Sequence, residues 1–282
     1  MGNIKKSIIK HIVIMIGIVA ILTFCILYPF LPGEYDLLAQ PVSFFVQGFA
    51  GISLLFSIVG ILWLTMPAKH YAFTTAVLYL STFITAVLSF FVFLAESKII
   101  GITLFLAWAI IFLRLKNKLC TSKKTVPNLF NFIPLYLIVL PVVILIIQLV
   151  LTKPVTQWSR SNAIENAEEL IRLLEDFHSK YGRYPETLQA MHKDYHPRIA
   201  GIEKYHYSPI GDSYNISFEQ PKFLFDEIGT REWVVYNPKD EHRVYSHTRD
   251  FLLLSPEELE RSQGWYASGN AGHSHWKYFL FD

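Results

Sequence analysis

The feature that most constrains this chain is one apolar run, Phe132 to Leu151, followed closely by an amphipathic stretch. About 20 apolar residues rising 1.5 Å each match the ~30 Å hydrocarbon core of a bilayer, so the run reads as a membrane span. Beyond it Ile164, Ala167, Leu170, Ile171, Leu174, Phe177 and Tyr181 recur at helical spacing. Glu165, Glu168, Glu169, Arg172, Glu175, Asp176 and Lys180 fill the other positions. A helix with one greasy face needs a partner surface outside the membrane. The junction therefore divides the chain into a membrane part, 1–152, and a folded aqueous part, 153–282.

Charge follows the same division, with a net +7 before Lys153 and −5 from there on. Only 17% of the 282 residues are charged, against about 25% in a typical soluble domain. The basic residues of the first part lie between apolar runs and form no folded basic face, so nucleic acid is not an expected partner. Both cysteines, Cys25 and Cys120, belong to the membrane part. The aqueous part holds no disulfide, and about 130 residues suffice for a core without one.

Five spans are expected, at about 12–30, 44–66, 71–95, 99–115 and 132–151. The first follows Lys5, Lys6 and Lys10 but is longer than the roughly 7 to 15 apolar residues of a signal peptide. Lys and Arg favour cytoplasmic loops. An inside N-terminus places Lys5, Lys6, Lys10, Lys69, Arg114, Lys116, Lys118, Lys123 and Lys124 inside, and Glu34, Asp36, Glu96 and Lys98 outside. The aqueous part then faces the periplasm of a bacterial inner membrane, with the lipid bilayer as first partner. Transporters keep paired ionisable groups at membrane depth, and these spans carry none away from their ends. Ser53 with Ser57, Thr82 with Thr85 and Ser89, and Gly48 with Gly51 predict close helix packing.

In the aqueous part Asn162 is an expected N-cap, with Glu165 completing a capping box. Gly182 is the expected left-handed C-cap, and Pro185 opens a short helix through Glu186, Leu188 and Met191. Ala167-Glu168-Glu169-Leu170-Ile171-Arg172-Leu173-Leu174, then Tyr181-Gly182-Arg183-Tyr184-Pro185, resembles the head-domain helix and Gly-Arg-Tyr-Pro turn of type II secretion major pseudopilins. The resemblance covers about residues 160–210, weakly including Tyr205-His206-Tyr207-Ser208-Pro209. It implies a pilin-like head fold and envelope or secretion-related protein partners. It does not imply membership of a pilus, because no Gly before Phe-Thr-Leu precedes the fifth span.

Three hairpins are expected after the helix: Tyr205–Tyr207 with Tyr214–Phe218, Trp233–Tyr236 with Arg243–His247, and Gly264–Ala267 with His275–Phe281. Ser255, Pro256 and Glu258 open a short helix to about Arg261. The expected fold is an all-α transmembrane bundle of about five spans followed by an α+β domain, a long helix on an antiparallel sheet as in a pilin-like head. That domain is expected to fold alone from about Gln157.

His273 and His275, two apart, are expected on one strand face. With His247 or His242 as a third ligand they could bind zinc. No other cofactor is expected. No Gly-x-Ser-x-Gly elbow or strand-to-helix phosphate loop occurs, and the helix carboxylates suit a solvated face. Trp233, Trp265, Tyr266, Trp276 and Tyr278 suit cross-strand packing. The sequence thus points to a non-enzymatic inner-membrane protein presenting a pilin-like periplasmic module that binds a protein or envelope component. The alternative is a metal-dependent, membrane-anchored enzyme using the His-rich last hairpin.

Overall fold

The structure, a computed structural model, describes residues 2–66, 69–95, 98–121, 132–188, 195–226, 229–242 and 266–281. The chain divides into two compact units, Met1–Leu27 with Leu38–Leu151, and Tyr28–Leu37 with Thr152–Asp282. The second unit differs from the boundary expected at 152 by one insertion: it takes in Tyr28–Leu37.

The regular elements described in the first unit are all helices: α1 Gly2–Leu27, α2 Ala39–Ile52, α3 Leu54–Thr65, α4 His70–Ala95, α5 Lys98–Thr121 and the opening part of α6 Ile133–Tyr181. Among the described residues four helices are long and apolar enough to cross a membrane, and five candidates result if α2 and α3 count as one bent span. The single run expected at 44–66 is therefore a pair of helices bent by 40°. Gly51 and Ser53 explain the bend. The Ser53 hydroxyl donates back to the Ala50 carbonyl at 2.8 Å, and such Gly/Ser positions loosen a helix. Of the expected hydroxyl positions Ser53, Thr85 and Ser89 are buried and Ser57 and Thr82 half-buried, while Phe56, Ile84 and Leu88 form an apolar cluster packed by Leu137.

Helix α6 is continuous for 49 residues. Asn162 is thus not an N-cap but an interior position. Continuing a helix adds one hydrogen bond per residue fixed, and the turns before Asn162 are anchored because Thr156, Ser159 and Arg160 are buried. That anchoring outweighs the capping signal.

In the second unit β1 His206–Ile210, β2 Ser213–Gln220, β3 Arg231–Tyr236, β4 Tyr266–Asn270 and β5 Trp276–Phe281 form one sheet in the order β1-β2-β3-β5-β4. Every pairing is antiparallel. The first and third expected hairpins are present. Both edges of β3 are bonded, to β2 and β5, so Trp233–Tyr236 is a central strand and not one arm of the second hairpin. Its expected partner 243–247 and the expected helix at 255–261 lie outside the described residues.

Side-chain alternation gives the sheet two buried faces. On one, Ala163, Ile164, Ala167, Leu170 and Leu174 of α6 cluster with Tyr214, Ile216, Phe218, Val234 and Trp276. On the other, Trp233, Val235, Phe279 and Phe281 are buried together.

Residues 28–37 form a strap on this domain. Gly33 N donates to Arg198 O, Ala200 N to Leu31 O, Gly201 N to Pro29 O and Asp36 N to Ala200 O, each at 2.9 Å, around an antiparallel bridge between Pro32 and Ile199. Phe30 is fully buried and stacks on Phe223. Gly201 is required at the crossing, since a Cβ there would lie 2.5 Å from Pro29 O and 2.7 Å from Pro221 Cγ.

Candidate functional site

The histidines of the last hairpin do not share a strand face. Strand β4 extends through Asn270, whose Oδ1 accepts the Gly272 N–H at 2.7 Å, so the turn falls at Ala271–His275 and β5 begins only at Trp276. His275 has φ 65° and places Nδ1 3.1 Å from Asp240 Oδ2. His273 Nε2 lies 3.2 Å from Ser161 Oγ on α6. The two imidazoles are thus engaged separately. Among the described residues no group of three or more His, Cys, Asp or Glu side chains is placed to hold a metal; His247 lies outside them. His242 is buried, with Nε2 3.0 Å from the His275 carbonyl and Nδ1 3.1 Å from that of Asp240. Burial pushes its pKa below the ordinary histidine value.

The end of α6 gathers more chemistry. The helix stops at Tyr181, and Gly182 takes φ 68° while its N–H donates to His178 O at 2.8 Å. The chain then reverses. Tyr184 lays its ring on His178, centroids 4.3 Å apart and planes 16° from parallel, and its hydroxyl donates to the Glu175 carboxylate at 3.2 Å. Tyr214 donates to the same carboxylate at 2.9 Å. Tyr207 donates to Pro185 O at 2.7 Å, fixing the far side of the turn. His178 Nε2 is 3.3 Å from Asp212 Oδ1 in the first hairpin turn, and Lys239 Nζ is 2.9 Å from the other oxygen.

Electrostatics keep the phenols of this cluster protonated. Burial, and then the Glu175 charge, push Tyr184 up to about 12, and the same causes hold Tyr214 higher still, with Tyr236 also contributing. Both phenols stay protonated near neutral pH and act as donors to Glu175. The Lys239 hydrogen bond holds Asp212 below the usual carboxylate range. What the cluster presents outward is Arg183, its side chain 71% exposed beside Glu186, and Tyr181, 56% exposed. Gly182, Tyr184 and Pro185 frame the turn.

One buried ion pair belongs to no motif in the sequence. Arg160 Nε and Nη2 donate to Glu232 Oε1 at 2.9 and 2.6 Å, with both side chains below a tenth exposed, and the guanidinium lies 4.4 Å from the centre of the Tyr278 ring. Burial raises the Glu232 pKa while Arg160 lowers it. The signal was available: Arg160 continues the core stripe of Ala163, Ala167, Leu170 and Leu174 at helical spacing, and Glu232, two residues before the inward Val234, shares its strand face.

No protein-family model, curated protein or solved structure matches this chain.

Proposed function

We propose that the chain is a bacterial inner-membrane protein with five crossings, a cytoplasmic N-terminus, and a periplasmic α+β domain that binds a protein or envelope component without catalysing a reaction. The observation that carries this reading is the strap. Tyr28–Leu37 hydrogen-bonds to 198–201 inside one unit, so the segment after α1 and the segment after Leu151 share one side of the membrane. The number of crossings between them is therefore even. Helices α4, α5 and α6 supply three, and the bent α2–α3 pair supplies the fourth. The excess of Lys and Arg near the N-terminus and around α5's end then supports the cytoplasmic start.

Binding is favoured over chemistry by the end of α6, where neutral phenols frame an exposed Tyr181 and Arg183. The pilin-like reading of the domain rests on the Gly182-Arg183-Tyr184-Pro185 turn and the helix before it. A metal-dependent reading draws no support from His273 and His275, each of which has its own hydrogen-bond partner.

Reporters active only in the periplasm test the arrangement. Fusions after Glu34 and after Asp282 are expected to be active, and one after Lys118 silent. Opposite activities for Glu34 and Asp282 would overturn the even count.

A further inference from the structure

Between its helices the first unit leaves a partly open cavity of about 900 Å³ whose wall includes Leu22 of α1, Phe49 of α2, Leu78 of α4, Ala107 of α5 and Leu140 of α6. Its size lies within the range of ligand pockets, about 300 to 1,000 Å³, but its chemistry is unusual for one. The wall carries few polar groups, Ser53, Ser81, Thr74 and Thr85 among them, and the two serines donate their protons within their own helices: Ser53 to Ala50 O at 2.8 Å and Ser81 to Leu78 O at 2.9 Å. The Trp108 indole N–H donates to Thr82 Oγ1 at 3.1 Å. Water needs two to four polar partners to stay in a cavity, and a charged or polar ligand at this depth needs a counter-group. An empty space of this size forfeits dispersion contacts all along its lining. The occupant that satisfies all three conditions is hydrocarbon.

One end of the cavity is different. It is lined by Leu115, Ile133 and Tyr136, where α5 reaches Arg114 and Lys116 and α6 begins. Tyr136 OH donates to His11 O at 3.1 Å and lies 3.0 Å from His11 Nδ1, which brings Lys10, the neighbour of His11, to the same end. Lys10, Arg114 and Lys116 are all exposed. A hydrocarbon-lined space ending among cations matches an amphiphile with a long chain and an anionic head.

We propose that this cavity is a lipid site. The chain of one membrane lipid, acyl or polyprenyl, fills it from α1 to α6, and the lipid's phosphate-bearing head group lies among Lys10, Arg114 and Lys116. The inference rests on the reading of these helices as membrane spans.

The full chain, extracted from membranes in mild detergent and examined by native mass spectrometry, tests it. One lipid of phosphate-bearing mass is expected to stay bound per chain, and its mass distinguishes an acyl from a polyprenyl tail. Ala107→Phe, which adds bulk to an exposed position on the cavity wall, is expected to lower the bound fraction severalfold while far-ultraviolet circular dichroism is unchanged. After delipidation and reconstitution in phosphatidylethanolamine vesicles with a minority of phosphatidylglycerol, Lys10→Gln with Lys116→Gln is expected to lose the preference for the anionic lipid yet keep a bound lipid. A chain that sediments with membranes but carries no lipid, or an Ala107→Phe variant that retains as much as wild type, overturns the site. A lipid-free dimer would assign the space to a second copy and overturn it equally. A chain absent from the membrane fraction would overturn the membrane reading itself.

Discussion

The Phe30 ring lies 4.6 Å from that of Phe223, with planes 18° apart, and this contact fastens the residues after α1 to the sheet domain. Removing a fully buried phenylalanine costs about 3 to 5 kcal/mol. Phe30→Ala should therefore lower the melting temperature of the domain in the detergent-solubilised chain and open the 221–226 region to protease. A fragment from Gln157 to Asp282, which the helix-on-sheet pattern suggests would stand alone, should be molten or insoluble. The same fragment with Tyr28–Leu37 joined to it through a flexible linker should unfold cooperatively. Equal behaviour of the two fragments would show that the strap is dispensable.

The amphipathic face of α6 was legible because a buried stripe repeats every 3.6 residues, and Ala167, Leu170 and Leu174 lie where that period puts them. The strap was not legible. Ten residues carry no period, and their partners at 198–201 are far along the chain, so only packing reveals that Pro29 and Gly201 meet. The histidine pair misled for a local reason: the Asn270 side chain captures the Gly272 N–H and moves the turn, placing His275 at positive φ. Arg160 and Glu232 were legible as a position, on two inward stripes, but not as a pair. Nothing in a linear pattern says which inward cation meets which inward carboxylate.

That pair makes its own prediction. Breaking a buried ion pair from one side leaves an uncompensated charge and costs about 3 to 5 kcal/mol, whereas replacing both partners with apolar groups is often neutral. Arg160→Met should destabilise the domain by that order, and Arg160→Met with Glu232→Leu should recover most of the loss. Burial already raises the Glu232 pKa against the pull of Arg160, so without Arg160 it rises further. The folded single variant then binds a proton that the unfolded chain, with an ordinary glutamate near 4.3, does not. Its stability relative to wild type should improve as pH falls through that raised value. Thermal melts between pH 7 and 5 check the sign.

At the end of α6, Gly182 holds φ 68° with open space where a Cβ would go. The penalty for alanine there is conformational and not steric crowding by neighbours, about 1 kcal/mol. Gly182→Ala should lower the melting temperature more than Pro185→Ala, which trims a buried ring but leaves in place the carbonyl through which Tyr207 holds the turn. Melts that rank the two the other way would mean the left-handed residue contributes little to ending the helix.

His242 gives the domain a pH response of defined direction. Its imidazole is buried, and that burial, aided by Lys277, depresses its pKa, while the His275 and Asp240 carbonyls and the Asp240 carboxylate push the other way without reversing the shift. In the unfolded chain it titrates near 6.5. Between that value and the lower folded value, the unfolded chain binds more protons than the folded one. Stability is present in full above about 6.5, declines as pH falls through the folded pKa, and is flat with respect to this group below it. Melting temperatures from pH 8 to 5 should thus fall for wild type. His242→Gln keeps a donor toward the His275 carbonyl but cannot be protonated, so it should show a shallower decline over the same interval. Identical slopes for the two proteins would assign the response to another group.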